Sequence, residues 1–290
     1  MPRLISVGEL IDRSWEHYKT EFVGLVSVSG WILVAAIVDL FALIFYPTVS
    51  KLASGATLTG WESFGVTLFG ISNYVIATVV NLWVFATLGR LISSQLSGRG
   101  DNVKRAMVEG WKFFLPLAIV GLLIGGLIFG AVAVSFAPSV GMALLGMWTS
   151  MSAAPFLVAF LEIVGICVAI FLCFRWSVQY FLAPYALLVD GVRGWSALVQ
   201  ARRMVDGKFW SIFLRIAVPK AIFILFGVVG MQILITGLSL VTVAAAGSNI
   251  DLQARLGTII FYVVMYLATA IINPLIVIAD VLLYRSLKNS

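Results

Sequence analysis

The chain has 290 residues, of which 61% are hydrophobic and only 11% charged, against about 25% charged in an average soluble domain. A soluble fold of this length has no way to hide that much apolar surface, so the bilayer is its natural solvent. The formal net charge of +6 does not point to nucleic acid: the lysines and arginines sit between apolar runs, where they act as topology signals and as contacts to anionic lipid headgroups.

Residues 1–21 contain Glu9, Asp12, Glu16 and Glu21 and no unbroken apolar core, so they do not read as a cleavable signal peptide. Val7, Leu10, Ile11, Trp15 and Tyr18 recur there at helical spacing. This predicts an N-terminal amphipathic helix lying in the membrane interface. Six apolar runs follow, at about 22–46, 64–93, 113–137, 154–188, 209–243 and 256–283. Each exceeds the roughly 20 residues needed to cross a hydrocarbon core. Pro184 and Pro219 are candidate bends, because each removes a backbone donor. No run alternates with period two, which excludes a β-barrel. The expected fold is all-α: a polytopic helical bundle with six transmembrane helices and cytoplasmic amphipathic helices, one transmembrane domain over residues 1–290.

The connections differ in character. Before the third run, Val103, Ala106, Met107, Trp111 and Phe114 repeat the N-terminal spacing. Before the fifth, the segment from Trp195 to Trp210 does so less cleanly (Trp195, Leu198, Val205, Phe209), because Arg202 and Arg203 interrupt the stripe. A threefold repeat of amphipathic helix, span, span is one reading; basic connections beside aromatic anchors are the other. Residues 47–63 are rich in Gly, Ser and Thr and read as a loop. Residues 138–155 are apolar (Met142, Leu144, Leu145, Met147, Trp148, Met151), and either lie in the interface or lengthen the neighbouring helices.

Charge sets the orientation. Arg3, Arg13 and Lys19 precede the first run; Arg99, Lys104, Arg105 and Lys112 lie in the second connection; Arg193, Arg202, Arg203 and Lys208 in the fourth; Arg285 and Lys288 at the C-terminus. That places thirteen cations on one side, while the other side has only Lys51 and Arg255. The positive-inside rule puts the thirteen, with both termini, in the cytoplasm, and the chain in a prokaryotic cytoplasmic (inner) membrane.

Two segments carry a resemblance. One is Val7-Gly8-Glu9-Leu10-Ile11-Asp12-Arg13-Ser14-Trp15-Glu16-His17-Tyr18, followed by Phe22. The other runs from Tyr180 through Pro184 to Asp190-Gly191, then Ala197-Leu198 and Gly207-Lys208-Phe209-Trp210. Together, with the closing Leu283-Tyr284-Arg285, they resemble a superfamily of six-span membrane proteins labelled as the glycerophosphoryl diester phosphodiesterase membrane domain. The resemblance implies the six-span fold. It does not imply the enzyme, since no stretch of this chain forms the soluble phosphodiesterase barrel.

Chemistry is sparse. His17 is the single histidine, too few for a zinc site or a Ser–His dyad. Cys167 and Cys173 lie six residues apart in one apolar run, roughly 240° around a helix, and neither bridge nor bind metal together. Asp190-Gly191 reads as a turn, and Gly125, Gly126 and Gly130 as sites of close helix packing. No catalytic residue, metal or cofactor is expected. Among the ionisable residues within runs, which also include Arg90, six stand out: Asp39, Glu162, Arg175, Arg215, Lys220 and Asp280. Each costs a few kcal/mol if left facing lipid. Arg175, Arg215 and Asp280 fall near the cytoplasmic boundary; Asp39, Glu162 and Lys220 are deeper. Helical depth pairs Glu162 with Lys220 as a buried ion pair and keeps Asp39 and Asp280 apart. Such charges either fix helix register or line a polar path. The expected function is a non-enzymatic accessory or scaffold protein binding membrane lipid or other membrane proteins. The alternative is a transporter of a small solute or lipid, for which Asn273-Pro274 is the candidate broken helix.

Overall fold

The computed structural model describes residues 4–98, 102–149 and 153–289; Arg3, Arg99 and Met151 of the sequence reading lie outside them. Twelve α-helices account for most of the described residues: α1 (Val7–Thr20), α2 (Phe22–Ser29), α3 (Leu33–Ile44), α4 (Val49–Ala53), α5 (Gly60–Ile71), α6 (Ala77–Gln95), α7 (Val103–Thr149), α8 (Ala154–Tyr180), α9 (Ala183–Asp190), α10 (Trp195–Val205), α11 (Phe209–Ala246) and α12 (Ile250–Lys288). A 3-10 turn (Gly30–Ile32) joins α2 to α3, and a π turn (Ser72–Ile76) joins α5 to α6. No strand occurs among the described residues. Six helical stretches are long and apolar enough to cross a membrane: Phe22–Ile44, Gly60–Gln95, Val103–Trp148, Ala154–Asp190, Phe209–Ala246 and Ile250–Lys288.

The helices outrun the apolar runs, because a backbone hydrogen-bond ladder continues wherever nothing stops it. The segment from Val103 to Phe114 is no separate amphipathic helix; it is the first turns of α7, which runs on to Thr149. The apolar stretch after Pro138 therefore lengthens α7, and α8 starts at Ala154. The expected loop at 47–63 holds α4 and the start of α5, because Thr48 and Thr59 supply N-cap oxygens and Glu62 completes a capping box with Thr59. Pro184 sits in the first turn of α9, where its missing donor costs nothing. Pro219 and Pro274 lie inside continuous helices, so the chain is not interrupted at Asn273-Pro274.

The chain forms two compact units, Met1–Phe114 with Arg215–Ser290, and Leu115–Leu214. In the first, α12 is the central helix and packs on α1, α2, α3 and α6. The inner row of α1 is Leu10, Ser14 and Tyr18, all buried, whereas Trp15 is exposed with Glu9, Asp12, Arg13 and Glu16. The predicted stripe is thus split: Leu10 and Tyr18 dock on protein and only Trp15 is left outward. Polar stitches hold the helix in place. The Ile5 amide donates to Ser286 Oγ (3.1 Å), Arg215 Nε donates to the Ile5 carbonyl (2.7 Å), and Gln95 bridges His17 (3.1 Å) and Glu21 (2.8 Å). The Tyr18 hydroxyl donates to the Ile271 carbonyl (2.9 Å), one turn before Pro274, where proline loosens the ladder. Burial pushes this phenol above its ordinary pKa, which keeps it a donor.

At the other end of this unit, Arg255 donates to the carbonyls of Leu43, Ile44 and Tyr46, where the unpaired C-terminal end of α3 attracts a cation. Lys51 pairs with Glu62 (2.5 Å). Both cations of the sparsely charged side therefore have structural partners. Helices also approach closely here: a Cβ on Gly110 would fall 2.1 Å from Thr87 Oγ1.

In the second unit, α7 and α8 meet at Gly165, where a Cβ would lie 2.8 Å from the Ser135 carbonyl oxygen. Gly125, Gly126 and Gly130 are not contact points, since a Cβ on any of them meets nothing within 4 Å; the small-residue cluster does not mark the packed face. Asp190-Gly191 is a turn, with Gly191 in the left-handed region (φ 75°) and Asp190 accepting from Gln200 (3.0 Å). The buried row of α10 is Ala197, Leu198, Ala201 and Val205, packed on α8 and α9.

Candidate functional site

The six intramembrane candidates fall into distinct environments. Asp39 is wholly buried on α3. It accepts from Asn73 Nδ2 (3.1 Å) and from the Tyr266 hydroxyl (3.0 Å). Asn73 belongs to the π turn, whose Ser72 donates to the Ala35 carbonyl (3.3 Å). The π turn has a clear local role: its extra residue turns Ser72 and Asn73 together toward α3. Tyr262 stacks on Tyr266 (6.4 Å) and lines a cavity of about 240 Å³ with Tyr46, Phe69 and Arg255.

Lys220 pairs with Asp280 at 3.1 Å, the carboxylate being almost fully buried. The expected pairing of Lys220 with Glu162 is therefore corrected: Glu162 is exposed on α8 and makes no ion pair among the described residues. The reason lies in where α12 ends. The last apolar run stops near Leu283, but the helix continues to Lys288. That puts Asp280 eight residues, ~12 Å, inside the helix end rather than at the boundary. Asp39 and Asp280 do not meet; the Tyr266 that touches Asp39 is 14 residues before Asp280 on α12, ~21 Å along it. Arg215 is held by the Ile5 carbonyl. Arg90, within a run but not among the six candidates, pairs with Glu109 (2.8 Å) and lies over the Phe113 ring (4.8 Å).

Arg175 is in a different situation. It lines a cavity of about 510 Å³ in the second unit, a size typical of small-molecule sites. The wall is aromatic. Phe174 packs edge-on to Phe209 (5.8 Å) and against Trp210 (6.2 Å), and Phe171 adds a further ring. The polar groups are Arg175, Gln179 and Asp206. Gln179 is only 6% exposed as a residue; its amide makes no hydrogen bond among the described residues and is not itself buried, so it is open to the cleft. Arg175 and Asp206 are exposed, and their side chains likewise make no hydrogen bond or ion pair among those residues, with each other or with anything else. An amide and a guanidinium open to the same aromatic cleft are the few convergent polar groups that a ligand pocket offers. The turn at Gly207, whose positive φ (77°) only glycine adopts freely, carries the chain from α10 into α11 and lines the cleft together with Asp206.

Arg175 was legible as an intramembrane charge. Gln179 and Asp206 were not, although Gln179 follows Arg175 by four residues and so shares its helix face. No family model matches the sequence, and neither a curated protein nor a solved structure matches the chain.

Proposed function

We propose that this chain is a non-enzymatic accessory or scaffold protein of a prokaryotic cytoplasmic membrane, holding phospholipid and docking other membrane proteins through its helices. The observation that carries the lipid part is the aromatic cleft itself, onto which the Arg175 guanidinium and the Gln179 amide open with no partner among the described residues. Lipid-exposed aromatic walls with a cation at one end suit an amphiphile. Support for reading the first unit as framework comes from Lys220 and Asp280, which neutralise each other; a polar route needs groups open to a passing solute. In this reading the thirteen cations face the cytoplasm and meet anionic headgroups, and the resemblance to the six-span superfamily reflects shared ancestry of the membrane part. Single cysteines at Thr57 and Ser248 should then react with an impermeant thiol reagent in intact cells, and one at Asn102 should not.

The test of function is what the protein retains. Purified in mild detergent, the full chain should carry about one phospholipid per chain by mass spectrometry of the extract, and Gln179→Leu should lose it. Equal retention by both proteins overturns the reading.

One observation favours the transporter alternative: the π turn beside Asp39, since such turns recur at functional sites. A route through Asp39 requires water to reach it. Labelling of Asp39 by a water-soluble carbodiimide would support the route, and an unreactive Asp39 would support the closed framework.

A further inference from the structure

The cleft of the second unit carries both signs of charge, and neither is used. Arg175 stands on α8 and Asp206 at the α10–α11 turn, on the same cavity, more than ion-pair distance apart. Opposite charges left free in one cleft suit a ligand that brings both a negative and a positive group. A purely anionic headgroup would meet Asp206 as a repulsive neighbour. A phosphate held by the Arg175 guanidinium and the Gln179 amide N–H groups, with an ammonium beside Asp206, satisfies all three at once. The faces of Phe174, Phe209 and Trp210 add to this, because aromatic rings attract a nearby cation.

The rest of the ligand is read from α8. Val164, Val168, Phe171, Arg175 and Gln179 fall on one face of the helix at steps of three and four residues. Val164, Val168 and Phe171 are exposed. From Phe171 back to Phe160 is eleven residues, ~16 Å of helix, which is about one leaflet of a ~30 Å hydrocarbon core. The polar cleft thus opens onto an apolar face one acyl chain long. The geometry points to a site for a zwitterionic aminophospholipid: phosphate on Arg175 and Gln179, ammonium on Asp206 among the aromatic rings, one acyl chain along Phe171, Val168 and Val164. This deepens the lipid-holding reading above and rests on it.

The experiment is native mass spectrometry of the delipidated full chain, titrated with an equimolar mixture of phosphatidylethanolamine and phosphatidylglycerol of matched acyl chains. The wild type should bind phosphatidylethanolamine at least about fivefold over phosphatidylglycerol. Asp206→Asn, a near-isosteric change on an exposed turn, should abolish that preference while keeping phospholipid bound. Arg175→Ala should lose both lipids. A hundredfold excess of glycerophosphoethanolamine, the headgroup without chains, should not displace the lipid. Equal binding of the two lipids by the wild type, or a preference that survives Asp206→Asn, overturns the headgroup assignment and leaves lipid holding intact. Binding that Arg175→Ala does not reduce removes both. Displacement by the chain-free headgroup means the site takes a soluble phosphate ester and not a lipid. The wild-type ratio alone decides the headgroup even if a variant fails to fold.

Discussion

Lys220–Asp280 in one unit and Arg175–Gln179–Asp206 in the other are both sets of polar groups in apolar helices, and they end in opposite states. Lys220 closes on Asp280 at 3.1 Å. Asp39 likewise closes on Asn73 and Tyr266. The three groups of the cleft close on nothing among the described residues. A charge that costs a few kcal/mol in a membrane helix persists either because the fold answers it or because something else does. The closed sets should therefore respond to mutation in stability, and the open set in binding.

The largest effect expected is at the Lys220–Asp280 pair. Removing one partner of a buried pair strands the other, at typically about 3–5 kcal/mol; Lys220 retains some exposure, so the lower figure applies. Asp280→Asn or Lys220→Met should each lower the thermal midpoint in detergent, and the double change should recover much of the loss. Simple addition of the two effects would show that the groups act apart. Next is Tyr266→Phe, which removes one of the donors to the Asp39 carboxylate and should cost about 1–3 kcal/mol, read in the same melt. Tyr18→Phe should cost less, about 1 kcal/mol. Its sharper readout is faster hydrogen exchange of the α12 amides around Pro274, because the hydroxyl no longer braces the Ile271 carbonyl. Exchange unchanged there would mean that α1 is held by Leu10, the Ile5 contacts and the Gln95 bridge without the Tyr18 hydroxyl. The smallest stability effect should be at the cleft: Gln179→Leu replaces an amide that bonds nothing among the described residues with an apolar group of similar size and should leave stability within about 0.5 kcal/mol.

The sequence makes the bundle plain because bilayer thickness acts on run length alone, and six runs of the required length are visible without any knowledge of contacts. Helix ends are less plain. Apolar runs stop at Ala137 and Leu283, whereas α7 and α12 continue to Thr149 and Lys288, since neither Pro138 in the one nor the polar residues after Leu283 in the other end the helix. That same offset misplaced Asp280 and paired Lys220 with Glu162. The π turn at Ser72–Ile76 leaves no periodic mark in an all-apolar helix, so Asn73 was invisible as a partner of Asp39. Arg175 announced itself by its charge. Gln179 did not, because an uncharged amide stands out only once it is seen on the wall of a cleft beside an arginine.

The most direct test of the division between closed and open polar groups is thermal unfolding of wild type, Lys220→Met and Arg175→Ala, each measured delipidated and again with added phosphatidylethanolamine. Lipid that binds the folded state raises its midpoint. Lys220→Met should melt lower than wild type in both conditions and keep the full lipid-induced rise. Arg175→Ala should melt with wild type when delipidated and show no rise when lipid is added. A lipid-induced rise in Arg175→Ala equal to that of wild type, or one lost in Lys220→Met, would contradict the account.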